Sequence, residues 1–393
     1  MRSNFHSNTN PLYQGYNWSS NSNTGKIINN SDLIQNTNLP NYPGSSYQYS
    51  SNYAYDLNNS KDNYTEKYCE FGGIVNYGNN CYLNSGIQIL VSCDEFVKEL
   101  KIYNIDGNPE FLTNLIKEAI DKLLSGKNFD PACFISKFVS INKEYFGFGS
   151  QSCSQNFIRT LLKNINDELL STFQNLVKQN TQYKPVSTVE ICKYNEFIRA
   201  NKIYPESSLL SIFSGITRSH SNSTCRYCQN VIDEYSFNYF IDLNIYLDEI
   251  KTRSRFEEVL NKNFEKNILT MDCPNSICKK ELKMDEVTKI IKLPDVLIFT
   301  LERYQGINND IEIEPDEYID LEKFVELNGH RSNIYELFAI NIRFGRSKDF
   351  GHEICQVKRK GQWYEINDEK VYKISSLSKN YNKYSYGLFY KRK

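Results

Sequence analysis

Charge of one sign is what this sequence lacks most. Its 393 residues carry 46 lysines and arginines against 47 aspartates and glutamates, a formal net charge of −1. Without a cationic excess there is no electrostatic footprint for nucleic acid or for an anionic membrane surface. No apolar run approaches the roughly 18–20 residues that span a bilayer. The N-terminus shows no basic segment followed by an apolar one, as a secretory leader would. An intracellular protein, in cytoplasm or nucleus and away from membranes, is the expectation. Histidine is scarce as well, with four in the chain, which shortens any search for a general base. Residues 1–67 lack an apolar period, and Asn, Ser and Tyr make up about half of them. Such a stretch cannot bury enough surface to offset its ordering entropy, so it is read as a disordered tail. It is either an inert extension or, through its spaced tyrosines, a recruitment or condensation segment.

What is present starts with aromatic residues, 14% of the chain, enough for a substantial core. The densest stretch runs from Gly73 to Leu90. Its first half holds Asn76, Gly78, Asn79 and Asn80, residues that tolerate turns and do not sustain a helix. Its second half places Leu83, Ile87 and Leu90 at helical spacing. Cys81 falls at the junction, where a thiol meets the unpaired N–H groups and positive end of a helix. That position favours thiolate and predicts a nucleophile. A nucleophile of this kind makes a tetrahedral oxyanion that needs donors, and the Cys81 backbone N–H is one candidate.

After Cys81 the pattern is helical to about Tyr204. Apolar spacing predicts helices from Phe111 to Leu124, over 131–144 and from Ser152 to about Leu176, with 177–200 read as a polar insert. Next the cysteines pair up. Cys225 and Cys228 are separated by two residues, Cys273 and Cys278 by four, and 44 residues lie between the pairs. Two such pairs can meet as a tetrahedral four-cysteine zinc site, closed to water and therefore structural. The Tyr235–Leu247 segment between them reads as strands. From Lys292 onward strands dominate, among them Leu293–Tyr304, Tyr335–Phe344, His352–Lys358 and one opening at Trp363.

Of the four histidines, His6 lies in the tail, His220 in a Ser/Asn-rich stretch read as a loop (Arg218–Thr224), and His330 in a Gly-containing turn. His352 alone follows a glycine and enters a strand. A hairpin over Lys358–Gln362 would bring Asn367 or Asp368 back beside it. Either side chain could accept from one imidazole nitrogen and leave the other to face Cys81.

Gly73–Leu90 resembles the cysteine box of the ubiquitin-specific proteases at Gly73, Asn76, Gly78, Asn79, Cys81, Tyr82, Asn84, Ser85, Gln88 and Leu90. The hairpin resembles the same family's histidine box, with Gly351-His352 and Trp363 through Asn367-Asp368, and Tyr386–Tyr390 matches its closing strand. Gln151 and Phe157 fit a further box, Leu293–Tyr304 another, and Phe213-Ser214-Gly215 the segment before the cysteine ribbon. The resemblance covers all but the tail. It implies Cys81 as nucleophile, His352 as base, Asn367 as the third triad member with Asp368 able to assist or substitute, and the Asn76 amide as a second oxyanion donor. Asn79 and Asn80 stay turn residues.

The fold so implied is α+β and papain-like: a thumb over 68–204, fingers tipped by zinc over 205–291 and a palm over 292–393. The implied activity is cleavage after the C-terminal glycine of ubiquitin, on ubiquitin and ubiquitinated proteins, by a monomer whose one cofactor is structural zinc held by Cys225, Cys228, Cys273 and Cys278. Six positions depart from the family's pattern, two of them mildly: Asn80 stands where Thr is usual and Tyr304 where Phe is. Cys153 and Asn156 replace an Asp and a Glu, Glu353 replaces the aromatic after the histidine, and Arg343 stands where a histidine is usual. Glu353 and Arg343 permit one alternative, a catalytically weak or dead ubiquitin-binding scaffold, and a protease for another ubiquitin-like modifier is a second.

Overall fold

The computed structural model describes residues 70–103, 111–147, 149–172, 183–201, 206–247, 250, 252–303, 311–326, 331–345 and 351–393. The tail expected over 1–67, His6, His330 and Tyr304 lie outside them. The described chain is a mixed α and β fold. Its helical part opens with α1 (Cys81–Val91), α2 (Asp94–Ile102), α3 (Leu112–Leu124), α4 (Ala132–Ile141) and α5 (Ser154–Thr172), followed by α6 (Thr188–Asn201). The helical spacings of the sequence put Leu112, Ile116, Ile120 and Leu123 of α3, and Phe157, Leu161, Ile165 and Leu169 of α5, in the core. The helix α6 falls inside the stretch read as a polar insert, and there Glu190 is buried against Arg218 at 2.9 Å.

Helix α1 departs from a simple amphipathic pattern, because all eleven of its residues are buried. It lies between α5 and the main sheet. Gly86 permits the close approach to α5: a Cβ there would stand 2.5 Å from the Phe157 ring. Tyr82, Phe134, Phe138, Phe146 and Phe157 fill the space around it with edge-on and stacked rings, centroids 4.9–6.3 Å apart.

The strands form two principal sheets among the described residues. The first contains β1 (Gly215–Thr224), β2 (Val231–Phe240), β5 (Asn267–Asp272) and β6 (Glu281–Lys292), in the order β2-β1-β6-β5. Its β1 includes His220 and all of Arg218–Thr224, which the sequence analysis took for a loop. Serine and asparagine disfavour strands in isolation, but β1 is central and pairs along both edges, so context overrides propensity. A chain segment containing β3 (Asp242–Tyr246), β4 (Arg253–Arg255) and the helix Phe256–Asn263 leads from the first hairpin of this sheet to the second.

The second sheet holds β7 (Val296–Glu302), β8 being a separate short strand (Glu312–Glu314) paired with β4, then β9 (Tyr318–Asp320), β10 (Ile334–Phe344), β11 (His352–Arg359), β12 (Gln362–Asn367), β13 (Lys370–Ile374) and β14 (Ser385–Arg392). Its order is β13-β12-β11-β10-β14-β7-β3, with β9 on β10. Both faces are covered. Val296, Ile298, Phe338, Cys355, Val357 and Phe389 join the helical core, while Leu297, Phe299, Leu301, Leu337, Ile354 and Leu388 face a second core with the helix Phe256–Asn263. Burial on two sides explains strands that read as continuous apolar runs.

Candidate functional site

Cys81 opens α1 at the seam where that helix meets β11, and its side chain is 4% exposed. The preceding loop turns through two left-handed residues, Gly78 (φ 93) and Asn79 (φ 53), in keeping with the asparagine and glycine there. Asn80 places no side-chain oxygen on the N–H groups of the first helical turn. Its oxygen instead takes the Tyr77 N–H at 2.8 Å, and its amide reaches Val75 O and Asn84 Oδ1. The helix-start N–H groups therefore remain without a side-chain cap beside the thiol.

The segment entering that loop is pinned on two sides. Gly73 O accepts from Phe129 N–H at 2.9 Å, and Ile74 N–H donates to Asp368 O at 2.9 Å. A Cβ on Gly73 would stand 2.3 Å from the Glu369 carbonyl oxygen, so only glycine admits the two-residue turn Asp368-Glu369 between β12 and β13. Asp368 itself is left-handed, φ 53. Residues almost 300 positions apart are thereby held in register.

The hairpin β11–β12 does what its length predicts. His352, the first residue of β11, contacts Asn367 Oδ1 through Nε2 at 2.8 Å. With Nε2 donating to that carbonyl oxygen, the neutral ring keeps Nδ1 as its acceptor nitrogen. Asp368 is engaged elsewhere: Oδ2 accepts from Asn76 Nδ2 and Oδ1 from Asn84 Nδ2, each at 2.8 Å. Asn76 therefore has a dual engagement, because its Oδ1 also accepts the Gly78 N–H at 2.8 Å in an Asx-type turn. Both the structural use of Asn76 and an oriented amide N–H₂ coexist.

The thiol's environment differs from what a helix end alone predicts. Burial pushes Cys81 from an ordinary 9.0 up to about 12, with the Glu353 and Asp368 carboxylates adding to the rise. The Glu353 N–H, which donates to Sγ at 3.4 Å, and the Arg343 charge only partly oppose it. Burial thus favours the protonated sulfur. Glu353 and Arg343, met as two separate departures, face each other as an ion pair with both side chains buried. Ser154 and Asn341 complete that cluster, and nothing in the sequence spacing singles these two out. Of the replaced acids, Asn156 accepts from Arg159 at 3.2 Å, and Cys153 O receives the Phe157 N–H at the start of α5. Gln151 reaches Asn79 at 3.1 Å, linking this loop to the one before Cys81.

The other histidine in view is structural in its contacts. His220 stacks on Tyr235 with centroids 4.2 Å apart and bonds Asp233 at 2.6 Å, across the β1–β2 pair.

The four paired cysteines come together at the far end of the first sheet. Cys225 and Cys228 sit in the tip joining β1 to β2, Cys273 and Cys278 in the tip joining β5 to β6, and β1 lies next to β6. Each tip closes in the same way: Cys225 N–H to Asn230 O, and Cys273 N–H to Lys280 O, both at 2.9 Å. A left-handed residue, Gln229 (φ 58) or Lys279 (φ 43), follows each second cysteine. The four sulfurs all lie within 4.8 Å of one another and could hold a metal ion.

A family model described as ubiquitin carboxyl-terminal hydrolase matches residues 72–390. The chain is 25% identical over 364 residues to the probable ubiquitin carboxyl-terminal hydrolase 4 of Schizosaccharomyces pombe, covering 81% of this chain and 58% of that protein. It is 24% identical over 337 residues to ubiquitin carboxyl-terminal hydrolase 23 of Arabidopsis thaliana, covering 81% of this chain and 35% of that one. The chain thus spans less than two thirds of the length of either. Among solved structures, the SAGA Ubp8/Sgf11/Sus1/Sgf73 DUB module bound to ubiquitin aldehyde matches with a TM-score of 0.60 at 20% identity, over 87% of this chain and 74% of that one. The yeast SAGA DUB module with an Sgf73 mutant matches at 0.62 and 21% identity, over 87% and 73%. At that identity the likeness is one of fold.

Proposed function

From the premise that the chain belongs to the ubiquitin carboxyl-terminal hydrolase family, which the match over residues 72–390 establishes, we propose that it is a cysteine-type deubiquitinase. It hydrolyses the isopeptide or peptide bond after the C-terminal glycine of ubiquitin. The single observation that carries this reading is the convergence of a helix-start thiol, an imidazole held by Asn367, and an amide held by Asp368 on one seam. In the proposed division, 68–204 form a thumb and 292–393 a palm on either side of the cleft. Fingers over 205–291 would hold the globular body of ubiquitin.

In the proposed attack His352 acts as the general base toward the buried Cys81 thiol. The Cys81 Sγ–H proton passes to His352 Nδ1 as sulfur bonds to the carbonyl carbon. Asn367 Oδ1 accepts from Nε2–H and stabilises the charged ring that results. The developing oxyanion meets the Cys81 backbone N–H and the second N–H of the Asn76 amide, whose first is spent on Asp368. The imidazolium returns its proton to the leaving amine. Water then repeats the sequence on the thioester, and Cys81 is regenerated.

The four-cysteine cluster would hold one structural zinc. Tetrahedral zinc–sulfur bonds of about 2.3 Å place sulfurs about 3.8 Å apart, and the cross-tip spacings are 3.7 Å for Cys225–Cys278 and 3.6 Å for Cys228–Cys273. Four thiolates leave no position for a reacting water, so the ion would cross-link the two tips.

The test is incubation with ubiquitin bearing a C-terminal thiol-reactive group. A covalent adduct on Cys81, absent in Cys81→Ala, is expected. A folded wild-type chain that forms no adduct would refute the activity.

A further inference from the structure

Two of the departures from the family's pattern are partners. Strands β10 and β11 place Arg343 directly opposite Glu353. Their side chains are 2% and 1% exposed and form an ion pair. A single buried charge at either position would carry a large desolvation cost without the other. The carboxylate is satisfied on its second oxygen as well. Glu353 Oε2 accepts the backbone N–H of Ser154 at 3.1 Å, the Ser154 hydroxyl, and Asn341 Nδ2 at 3.1 Å. Ser154 is the first residue of α5, so an anion sits at that helix's positive end. Its hydroxyl also lies 2.8 Å from the Tyr82 carbonyl oxygen of α1. Arg343 in turn donates to Ser152 O at 2.9 Å. Finally, the backbone N–H of Glu353 donates to Cys81 Sγ, and the residue before it is His352. One residue thus touches the nucleophile, adjoins the base in sequence, and ties α1 and α5 to β10 and β11.

On the reading of the chain as a thiol hydrolase, we propose that Glu353, with Arg343 as its counter-charge, is a positioning residue. It clamps the helical wall of the cleft to the stranded wall, and so sets Cys81 against His352. The two departures are one compensated unit, neither tolerable alone. They do not mark a dead site.

The charged groups facing the thiol give the pair a second signature. Glu353 from β11 and Asp368 from the β12–β13 turn hold the thiol up and Arg343 from β10 draws it down, while Tyr82 follows Cys81 in sequence and His352 precedes Glu353. Removing Glu353's charge should therefore ease ionisation of Cys81, and removing Arg343's should hinder it.

The experiment compares Glu353→Gln, Arg343→Met and the double variant in the full chain. Three readouts apply: melting temperature, kcat and KM on a ubiquitin C-terminal amide, and the pH profile of Cys81 alkylation by iodoacetamide, followed by peptide mass spectrometry. Each single variant should lose about 10²-fold in kcat with KM little changed, the cost of a misplaced reacting group. The double should recover most of that loss. The alkylation midpoint should move down in Glu353→Gln and up in Arg343→Met, a divergence that a merely structural pair would not produce. Single variants with wild-type kcat, losses that multiply in the double, or midpoints that move together would overturn the proposal. If the singles do not fold, a double that folds and turns over sustains it, and a double that folds no better overturns it. Alkylation and melting need no ubiquitin, so a wild-type chain inert toward ubiquitin would sink the hydrolase reading while leaving the pair testable.

Discussion

Cys81 and Cys225 are the same side chain in opposite circumstances. Each stands at the tip of a turn with backbone N–H groups nearby. The N–H groups of Cys228 and Tyr227 draw Cys225 down while its cluster partners Cys273 and Cys278 are raised, and burial lifts Cys81 to about 12. A helix end contributes roughly 0.3–1 kcal/mol, at best about 2. A rise from 9.0 to about 12 is three pH units, or about 4 kcal/mol. Burial therefore wins at Cys81, and the helix end alone does not make a thiolate. What the contrast teaches is a division of labour. The fingertip sulfurs would serve a metal, which takes thiolates. The cleft sulfur keeps its proton until a base removes it.

The sharpest way to break this contrast is to remove each partner of that proton transfer. Cys81→Ala and His352→Ala should each lower kcat on a ubiquitin C-terminal amide by at least about 10⁴-fold. The double variant should be no slower than either, because the two act as one unit. Steady-state and single-turnover kinetics on the purified variants check this. Should Cys225→Ser cost as much turnover as Cys81→Ala, the division between the two cysteines would collapse.

A smaller effect sharpens the picture on the cleft side. Asn76 is turned by Asp368 and also closes its own turn through Gly78. Asn76→Asp keeps an acceptor for the Gly78 N–H, yet sets a carboxylate against both Asp368 and the oxyanion. Its kcat should fall about 10²–10³-fold, with KM nearly unchanged, because the charge being met exists only in the transition state. Asp368→Ala should cost a similar factor alone and little more in an Asn76→Ala background. Near-normal kcat for Asn76→Asp would make the side chain structural and leave the oxyanion to backbone donors.

How much of this was legible in the sequence depends on how local each contact is. Cys81 at a loop–helix junction, the cysteine pairs, and the hairpin returning Asn367 to His352 all follow from short spacings, and the geometry matches them. The bond from Asp368 to Asn76 spans 292 positions, beyond the reach of any period. Arg343 and Glu353 did carry a signal. One predicted strand ends at Phe344 and the next opens at His352, so opposite charges one residue in from those ends can stand across from each other. Reading each as an isolated departure hid the pair. Arg218–Thr224 misled for another reason, since its serines and asparagines owe their strand to neighbours on both edges. The full burial of α1 was hidden too, because Asn84 and Gln88 look like a solvent face. They prove to be internal donors, to Asp368 at 2.8 Å and to Gly72 O at 3.0 Å.

The smallest expected effect lies at the fingertip. The two tips meet there through their sulfurs, a small cluster with Ile232, Leu282 and Met284, a bond from the Ser223 hydroxyl to Lys283 O at 2.8 Å, and Lys280 over the Tyr227 ring. A metal linking the thiolates would add to these contacts. Freshly purified protein should contain about one zinc per chain by elemental analysis, as four tetrahedral thiolates require. A chelator should release it, spreading the tips while the seam at Cys81, built from α1, β11 and the β12–β13 turn, stays intact. The consequence should fall on KM, by about fivefold or some 1 kcal/mol of lost substrate binding, with kcat unmoved. Alkylation of Cys81 should keep its wild-type pH profile, while Cys225, Cys228, Cys273 and Cys278, protected when bound to metal, should become reactive. Fresh protein with no metal and full activity would mean that the tips hold by their hairpins alone. A loss of kcat on stripping would instead couple fingertip and cleft, and the two cysteines would no longer be independent.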